Sequence, residues 1–227
     1  AQGGLNRYNF ENLSVPIPPI ERQKEIISFM EEQENIILEQ EKIIKDLNNK
    51  IISFDFSKYD NKSIKLNEII SLEYGISLPE KKRILGEYPV YGSNGIVGYH
   101  NKFLVEAPNI IIGRKGSAGE INFANKNFTP IDTTFYVKPL VLLEMKYLFY
   151  LLKTLNLPQY RSGLGSGGIN RQFILNLDIN YIDAIEHQKE IVSKLEKYEQ
   201  EVEQSQLKIN NAKIKQKEIM EDIFQID

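Results

Sequence analysis

The chain has 227 residues, contains no cysteine and carries a formal net charge of −3. This length is sufficient for the core of one or two ordinary domains. The absence of cysteine excludes disulfides, thiolate nucleophiles and cysteine-based zinc sites, and it fits a reducing cytoplasm. His100 and His187 are too isolated to predict a metal site, no cofactor is expected, and no apolar run reaches the roughly 18 residues of a membrane span.

A five-residue motif occurs twice in the chain. Gly-Gly-Leu-Asn-Arg stands at residues 3–7 and Gly-Gly-Ile-Asn-Arg at residues 167–171, and each copy leads to a Gln-Lys-Glu-Ile sequence that opens a long periodic stretch. This repeated motif predicts an internal duplication. Because the chain begins inside the first copy, we expect a fragment or a rearranged product of a longer two-copy protein, with residues 1–20 as the tail of a missing unit.

Residues 21–58 contain the first predicted helix. The prolines within residues 14–19 exclude helix there, whereas residues 21–54 contain neither glycine nor proline. One row of positions advances by alternating steps of four and three, which is the heptad spacing of a coiled-coil seam. The seam positions are Ile26, Met30, Gln33, Ile37, Gln40, Ile44, Leu47, Ile51 and Phe54.

Residues 59–182 have the pattern of an α+β domain. Residues 88–100 predict a β-hairpin that turns at Ser-Asn-Gly, and residues 109–123 predict a second pair of strands joined by a Gly-rich turn. Residues 132–138 predict a further strand, and residues 142–156 have helical spacing. We therefore expect a curved, mostly antiparallel sheet with short helices.

Residues 183–227 contain the second predicted long helix. Its seam positions are Ile191, Leu195, Tyr198, Val202, Ser205, Ile209, Ala212, Gln216, Ile219 and Ile223. An antiparallel coiled coil of the two helices is the simplest way to bury both seams. The polar residues in the two seams weaken this pairing but restrict its register.

The charge is unevenly distributed along the chain. Residues 60–180 carry 14 Lys and Arg against 10 Asp and Glu, a net +4, whereas the remaining residues carry 14 against 21, a net −7. A mildly basic middle between acidic arms permits a nucleic-acid partner. Arg and Lys suit phosphates or the guanine edge, and Asn suits adenine. The candidate DNA-binding residues, on predicted turns, loops and the hairpin, are Lys81, Lys82, Arg83, Tyr91, Ser93, Asn94, His100, Arg114, Lys115, Ser117, Arg161, Asn170 and Arg171.

Two alternative functions stay open at this point. Asp132, Glu144 and Lys146 resemble the two carboxylates and lysine of Mg²⁺-dependent nucleases, which would make the chain a DNA-processing enzyme. The chemistry needs the second carboxylate on a strand beside the first, whereas Glu144 and Lys146 begin a helical stretch. The glycine pattern at residues 163–168 lacks the βαβ context of a dinucleotide site and predicts a flexible loop. The chain therefore looks non-catalytic; a coiled-coil scaffold without a nucleic-acid role is the other alternative.

The ordered series of motifs resembles specificity subunits of type I restriction–modification enzymes over essentially the whole chain. "VPIPPIERQKEI" before a heptad helix is similar to the conserved region of that family. "YPVYGSNGIVGYHNKFLVEAPNIIIGRKGSAGEINF", "DTTFYV" and "GSGGINRQFILNL" are similar to one target recognition domain. The second helix departs from the pattern where Asp183 and Ala184 replace a Pro-Pro pair, which puts little in doubt.

The resemblance implies a role for each segment of the chain. Residues 59–182 would be one complete target recognition domain, and residues 1–20 would be the tail of another. Each recognition domain of the family reads one half of a split site in double-stranded DNA. The two helices hold the halves apart and bind methyltransferase subunits, with restriction subunits possible through the complex. A homodimer of this chain is possible, and no membrane partner is expected.

Overall fold

The computed structural model describes residues 17–162 and 167–224. They divide into two compact units, a helical unit (residues 17–47 and 199–224) and a globular unit (Asn48–Tyr198). The long helices α1 (Ile20–Ile52) and α4 (Ile185–Phe224) each contribute residues to both units. In the described ranges, no helix is long and apolar enough to cross a membrane.

The helical unit is an antiparallel pair, as the heptad pattern predicts. Near the start of α1, Arg22 forms an ion pair with Asp222 near the end of α4 (3.4 Å). Further along, Ile37 packs against Ile209 and Ala212 in one apolar cluster. Every described seam position is buried or half-buried. Within the helical unit this is because the stripe of each helix faces the other, whereas Ile51, Ile191 and Leu195 belong to the core of the globular unit.

Two glutamines are buried in the seam of α1. Gln33 and Gln40 are only 2% and 5% exposed, and the Oε1 atom of each has no hydrogen-bond partner among the described residues. On α4 the buried Ser205 and Ala212 are small seam residues. Gln33, Gln40 and Ser205 are among the positions that the sequence pattern marks as interruptions of the seam.

The globular unit contains three small sheets. The largest is four-stranded and antiparallel, in the order β2 (Ile70–Tyr74), β8 (Thr134–Pro139), β5 (Asn109–Gly113), β6 (Ile121–Ala124). The second has the order β4 (Gly95–His100), β3 (Tyr88–Gly92), β7 (Thr129–Pro130), with β3 and β7 parallel. The third pairs β1 (Lys62–Lys65) with β9 (Asp178–Tyr181).

The core of the globular unit lies between the four-stranded sheet and helix α2 (Met145–Thr154). Strand β5 is a run of buried residues, as expected for a strand that is covered on both faces. Tyr147 of α2 is fully buried, and its hydroxyl accepts a hydrogen bond from the backbone N–H of Ile182 (3.0 Å). A short helix, α3 (Arg171–Leu175), precedes β9.

The sequence-based expectations for the fold class are confirmed. Both hairpins form, and the only parallel pairing among the named strands is that of β3 with the two-residue strand β7. Helix α2 begins three residues later than its apolar pattern, after an exposed stretch at residues 140–142. Most of the predicted Gly-rich loop at residues 162–168 lies outside the described residues. The division of the chain at residues 20, 58 and 182 stays a prediction, because the compact units divide within α1 and α4.

Candidate nucleic-acid interface

A concave pocket of about 410 Å³ lies on the globular unit beside the end of β2. Four of the predicted DNA-binding residues meet there, from the loop after β5 and from the start of α3. Its lining residues are Tyr74, Arg114, Lys115, Phe135, Ser162, Gly168, Ile169, Asn170, Arg171 and Gln172. This volume is in the range of ligand-binding clefts in proteins, about 300–1,000 Å³.

Two guanidinium groups converge on the ring of Tyr74. The Cζ atoms of Arg114 and Arg171 lie 5.3 and 5.2 Å from its centroid, within the range of a cation–π contact. Both groups are also held by backbone carbonyls. Arg114 donates from Nε (3.0 Å) and Nη2 to the Asp132 oxygen, and Arg171 donates from Nη1 to the Leu72 oxygen (3.2 Å). The two cations are therefore fixed in place by the fold.

The pocket is rich in positive charge. Arg114, Lys115 and Arg171 line it, and none of them has a carboxylate within ion-pair distance among residues 17–162 and 167–224. Residues 163–166, which adjoin the pocket in the chain, are Gly-Leu-Gly-Ser and carry no charge. By contrast, Arg161 forms an ion pair with Glu120 (3.3 Å) and donates to the Ala118 carbonyl. The three pocket cations repel one another, and an anion bound among them would offset this repulsion.

The second copy of the repeated motif builds one wall of this pocket. A Cβ on Gly168 would lie 2.9 Å from the Arg114 carbonyl oxygen, so only glycine allows this close approach. The next residue, Ile169, is buried and donates its N–H to the same oxygen (3.0 Å). Asn170 then caps α3, because its side chain accepts from the N–H groups of Gln172 and Phe173. Gly168, Ile169 and Asn170 thus each have a structural role beside Arg171, which lines the pocket.

Two loop tips lie side by side, and Lys115 of one of them lines the pocket. One is the turn of the β3–β4 hairpin at Ser93 and Asn94, and the other is the loop of residues 114–117 after β5. A Cβ on Gly113 would lie 3.0 Å from the Ser93 carbonyl oxygen, which places the two tips in contact. Asn94 and Lys115 are exposed, and Ser117 is half-buried.

The remaining basic candidates lie beside β4. Lys81 and Lys82 are exposed on a short 3₁₀ turn. Arg83 donates to the carbonyls of Leu78 and Val97, so its guanidinium is occupied by the protein. His100 accepts the N–H of Ile84 at Nδ1 (3.0 Å), and it lies at the opposite end of β4 from the turn. The structure therefore gives Arg83 and His100 roles in anchoring the loop that carries the two lysines.

Tyr91 has a packing role in the structure. It is 8% exposed and packs edge-on against Phe128, with ring centroids 5.3 Å apart. Burial, and secondarily the neighbouring Tyr99, raises the pKa of its phenol. Sequence reasoning placed Tyr91 on the hairpin but missed Tyr74. The signal for Tyr74 was its position at the end of an alternating strand next to Gly75, where a half-exposed aromatic ring ends the sheet.

The three residues of the nuclease alternative lie apart. Asp132 precedes β8 and Glu144 follows it, so a strand of six residues, roughly 20 Å long, separates them. The Lys146 ammonium lies over the rings of Phe123 and Phe149. In the described part of the chain, no group of three or more His, Cys, Asp or Glu could hold a metal ion.

A comparison with protein families identifies the class of protein. The sequence model of the type I restriction modification DNA specificity domain matches residues 1–49 and 58–218. This match covers most of the chain, and the fold and the cation-rich pocket agree with it. The chain belongs to this family.

Known relatives share the sequence pattern and the fold. The specificity subunit of the type I restriction enzyme EcoprrI from Escherichia coli is 25% identical over 155 residues, which are 66% of this chain and 38% of that protein. The S subunit of a type I restriction–modification system from M. genitalium has a TM-score of 0.67 at 16% identity, covering 90% of this chain and 59% of its own. The HsdS subunit from Thermoanaerobacter tengcongensis has a TM-score of 0.56 at 18% identity, covering 99% and 63%. The chain thus spans between about two fifths and three fifths of the relatives that it matches.

Proposed function

We propose that this chain is a DNA-reading specificity component of a type I restriction–modification complex in the cytoplasm, and that its globular unit reads one half of a split site in double-stranded DNA. The observation that carries the proposal is the unneutralised cation cluster of Arg114, Lys115 and Arg171 in a chain of the DNA specificity family. A fixed cluster of this kind suits a polyanion, and duplex DNA carries one charge per ≈ 1.7 Å of its axis.

The two neighbouring tips are our candidates for base recognition. The hairpin turn carries Ser93 and the exposed Asn94, and the neighbouring loop carries Ser117, polar groups of the kind that can bond to base edges in the major groove. Asn94 would suit adenine, whereas Lys115 lines the pocket with Arg114 and Arg171. Lys81 and Lys82, on their anchored loop, would add contacts to phosphates beside β4.

We propose a non-catalytic role for the chain itself. The side chains of Asp132, Glu144 and Lys146 are spread along β8 and α2, which does not suit a shared metal. Methyl transfer would come from methyltransferase subunits that dock on the helices, and restriction subunits could join through them. The exposed surface of the helical unit supports a protein partner, because Leu207 and Ile214 lie exposed two turns apart on one face of α4.

A second copy of the chain is the proposed partner for the start of α1. At the second helix start, Gln188 donates from Nε2 to the Ile182 carbonyl, six residues before it (2.7 Å), and at the first, Gln23 donates to the Pro18 carbonyl, five residues before it (2.8 Å). Gln188 also accepts the N–H of Glu144 at Oε1, which ties it to the globular unit. Both described helix starts therefore have a glutamine that bonds back to a backbone carbonyl.

The starts of α1 and α4 differ in how far their neighbouring apolar residues are buried. Tyr181 and Ile182 are buried in the core of the globular unit, next to Gln188. Around Gln23, by contrast, Ile17 is 81% exposed and Ile20 is 61% exposed within the helical unit. Ile17, the counterpart of Ile182, thus has no cover among the described residues, which supports docking of a second globular unit at this place, as a homodimer would supply.

Binding of duplex DNA by the purified chain tests the proposal. Fluorescence anisotropy with labelled duplexes should show binding at low salt that weakens steeply as salt increases, since each phosphate contact contributes about 0.9 to the slope of log K against log salt. In parallel, plasmid with Mg²⁺ should stay intact. Failure to bind duplex DNA at low salt, or cleavage that disappears on Asp132→Ala, would contradict the proposal.

A further inference from the structure

We infer that the pocket beside Tyr74 is a phosphate clamp, which binds one backbone phosphate of duplex DNA and reads no base. The inference rests on the proposed DNA-binding function and assigns one site within it. Its parts are Arg114, Lys115 and Arg171 around the ring of Tyr74, with the repeated Gly-Gly-Ile-Asn-Arg motif as one wall.

The free groups of the cluster are all hydrogen-bond donors. Among the described residues, Arg114 uses Nε and Nη2 on the Asp132 carbonyl, which leaves Nη1, while Arg171 uses Nη1 on the Leu72 carbonyl, which leaves Nε and Nη2. Lys115 adds an ammonium. The Oδ1 of Asn170, which could otherwise accept from adenine, is occupied by two backbone N–H groups. Such a set matches a ligand that only accepts, which in DNA means a phosphate or the O6 and N7 of guanine.

The shape of the site decides between these two ligands. A guanine edge lies at the floor of a major groove about 8.5 Å deep, so a protruding side chain must reach it. A backbone phosphate protrudes from the duplex and can enter a concave site. The cations line a pocket of about 410 Å³, which favours the phosphate.

The cations are also held in place before any ligand arrives. Each guanidinium is fixed by a backbone carbonyl and by the face of Tyr74. A long side chain that is already ordered loses little entropy on binding. The motif at residues 167–171 explains the fixation, because Ile169 joins the loop of Arg114 and Asn170 starts the helix that carries Arg171.

The test compares charge-removing variants on duplexes of different sequence. Arg171→Gln and, because it is exposed and leaves the packing intact, Lys115→Gln are made in the full chain. Lys126→Gln removes the same charge from an exposed site on the turn after β6 and is the matched control. Anisotropy is recorded over a salt series on several unrelated duplexes, and circular dichroism checks the fold.

We expect Arg171→Gln to weaken binding about tenfold or more on every duplex, since a hydrogen bond to a charged group contributes about that much. The salt slope should fall by about 0.9 for each phosphate that the variant no longer binds. Lys115→Gln should lower the slope in the same way, and the control should change neither quantity appreciably.

Two results would overturn the inference while leaving DNA binding intact. One is a loss of affinity confined to particular sequences, because it would show that the pocket reads bases. The other is wild-type affinity and slope in both pocket variants. If the wild-type chain binds no duplex at low salt, the proposed function fails and the clamp fails with it.

Discussion

Tyr147 shows how one buried polar atom supports the globular unit. Its hydroxyl accepts the N–H of Ile182 inside the core. Tyr147→Phe keeps the ring but leaves that N–H unpaired, so we expect a loss of about 1–3 kcal/mol in the free energy of unfolding. Urea denaturation followed by circular dichroism measures it. Tyr160→Phe, at a 40% exposed ring, is the control and should cost little.

The same residue predicts how stability depends on alkaline pH. Burial raises the pKa of the Tyr147 phenol well above its ordinary value near 10. Above that value the unfolded chain loses the proton while the folded chain retains it, so the folded state binds more protons and stability falls as the pH rises. Denaturation midpoints between about pH 9 and 11 should decline less in Tyr147→Phe than in the wild type. Equal declines in both proteins would contradict this assignment.

The sequence predicts which basic residues lie at turns but not which way their charges face. Arg83 and Arg114 both occur in loops, yet their guanidiniums bind the carbonyls of Val97 and Asp132. Those carbonyls are 14 and 18 residues away in the chain, so only the folded sheet brings them close. Turn chemistry is local and is therefore predictable from sequence, whereas side-chain partners are not.

At the scale of elements, the seam of the helix pair contains two polar layers. Gln33 and Gln40 are buried, and the Oε1 of each lacks a partner among the described residues. Replacing both by Leu removes two buried acceptors, so we expect the free energy of unfolding to rise by about 1 kcal/mol or more per site. Chemical denaturation measures the rise.

Gln204→Leu, at an exposed position of α4, is the control for this change and should bring no gain. Reduced stability in the double variant would instead mean that the glutamines are satisfied in solution. The heptad pattern predicts both helices and their seams, because apolar periodicity is a local signal. It also marks the polar interruptions, but which of their atoms find partners depends on the facing helix.

The helix starts offer a paired test of the repeat. Gln188 is fully buried and bonds both to Glu144 and to Ile182. Gln188→Leu leaves a half-buried N–H and a buried carbonyl unpaired, so it should cost about 3 kcal/mol. Gln23→Leu removes only the bond to Pro18 and should cost much less. Thermal unfolding measures both losses of stability. Similar losses for the two variants would show that Gln23 and Gln188 are equally buried in solution.

At the scale of the whole molecule, the exposed apolar start of α1 predicts self-association. Light scattering over a concentration series should show a dimer in the wild-type chain. Ile20→Glu should shift it to a monomer, because a charge replaces apolar contact on that surface. Lys45→Glu, further along the helix on an exposed position, is the control. A wild-type monomer at high concentration would rule the homodimer out.

A homodimer also has a consequence for the DNA site. Two identical recognition units related by a twofold axis read the same half-site on opposite strands, so the recognised sequence should be an inverted repeat with a gap. The fold of one chain alone does not predict an inverted-repeat recognition sequence. It follows from the repeated motif and from the uncovered residues at one of its two places, which together suggest where a second unit docks.

Methylome sequencing of cells that carry this chain together with a type I methyltransferase subunit tests most directly whether the chain selects the DNA sequence. We expect a methylated motif that appears only when the chain is present. Asn94→Ala or Ser117→Ala should alter bases within that motif, whereas Lys126→Gln should leave it unchanged. The same methylation pattern with and without the chain would contradict the account.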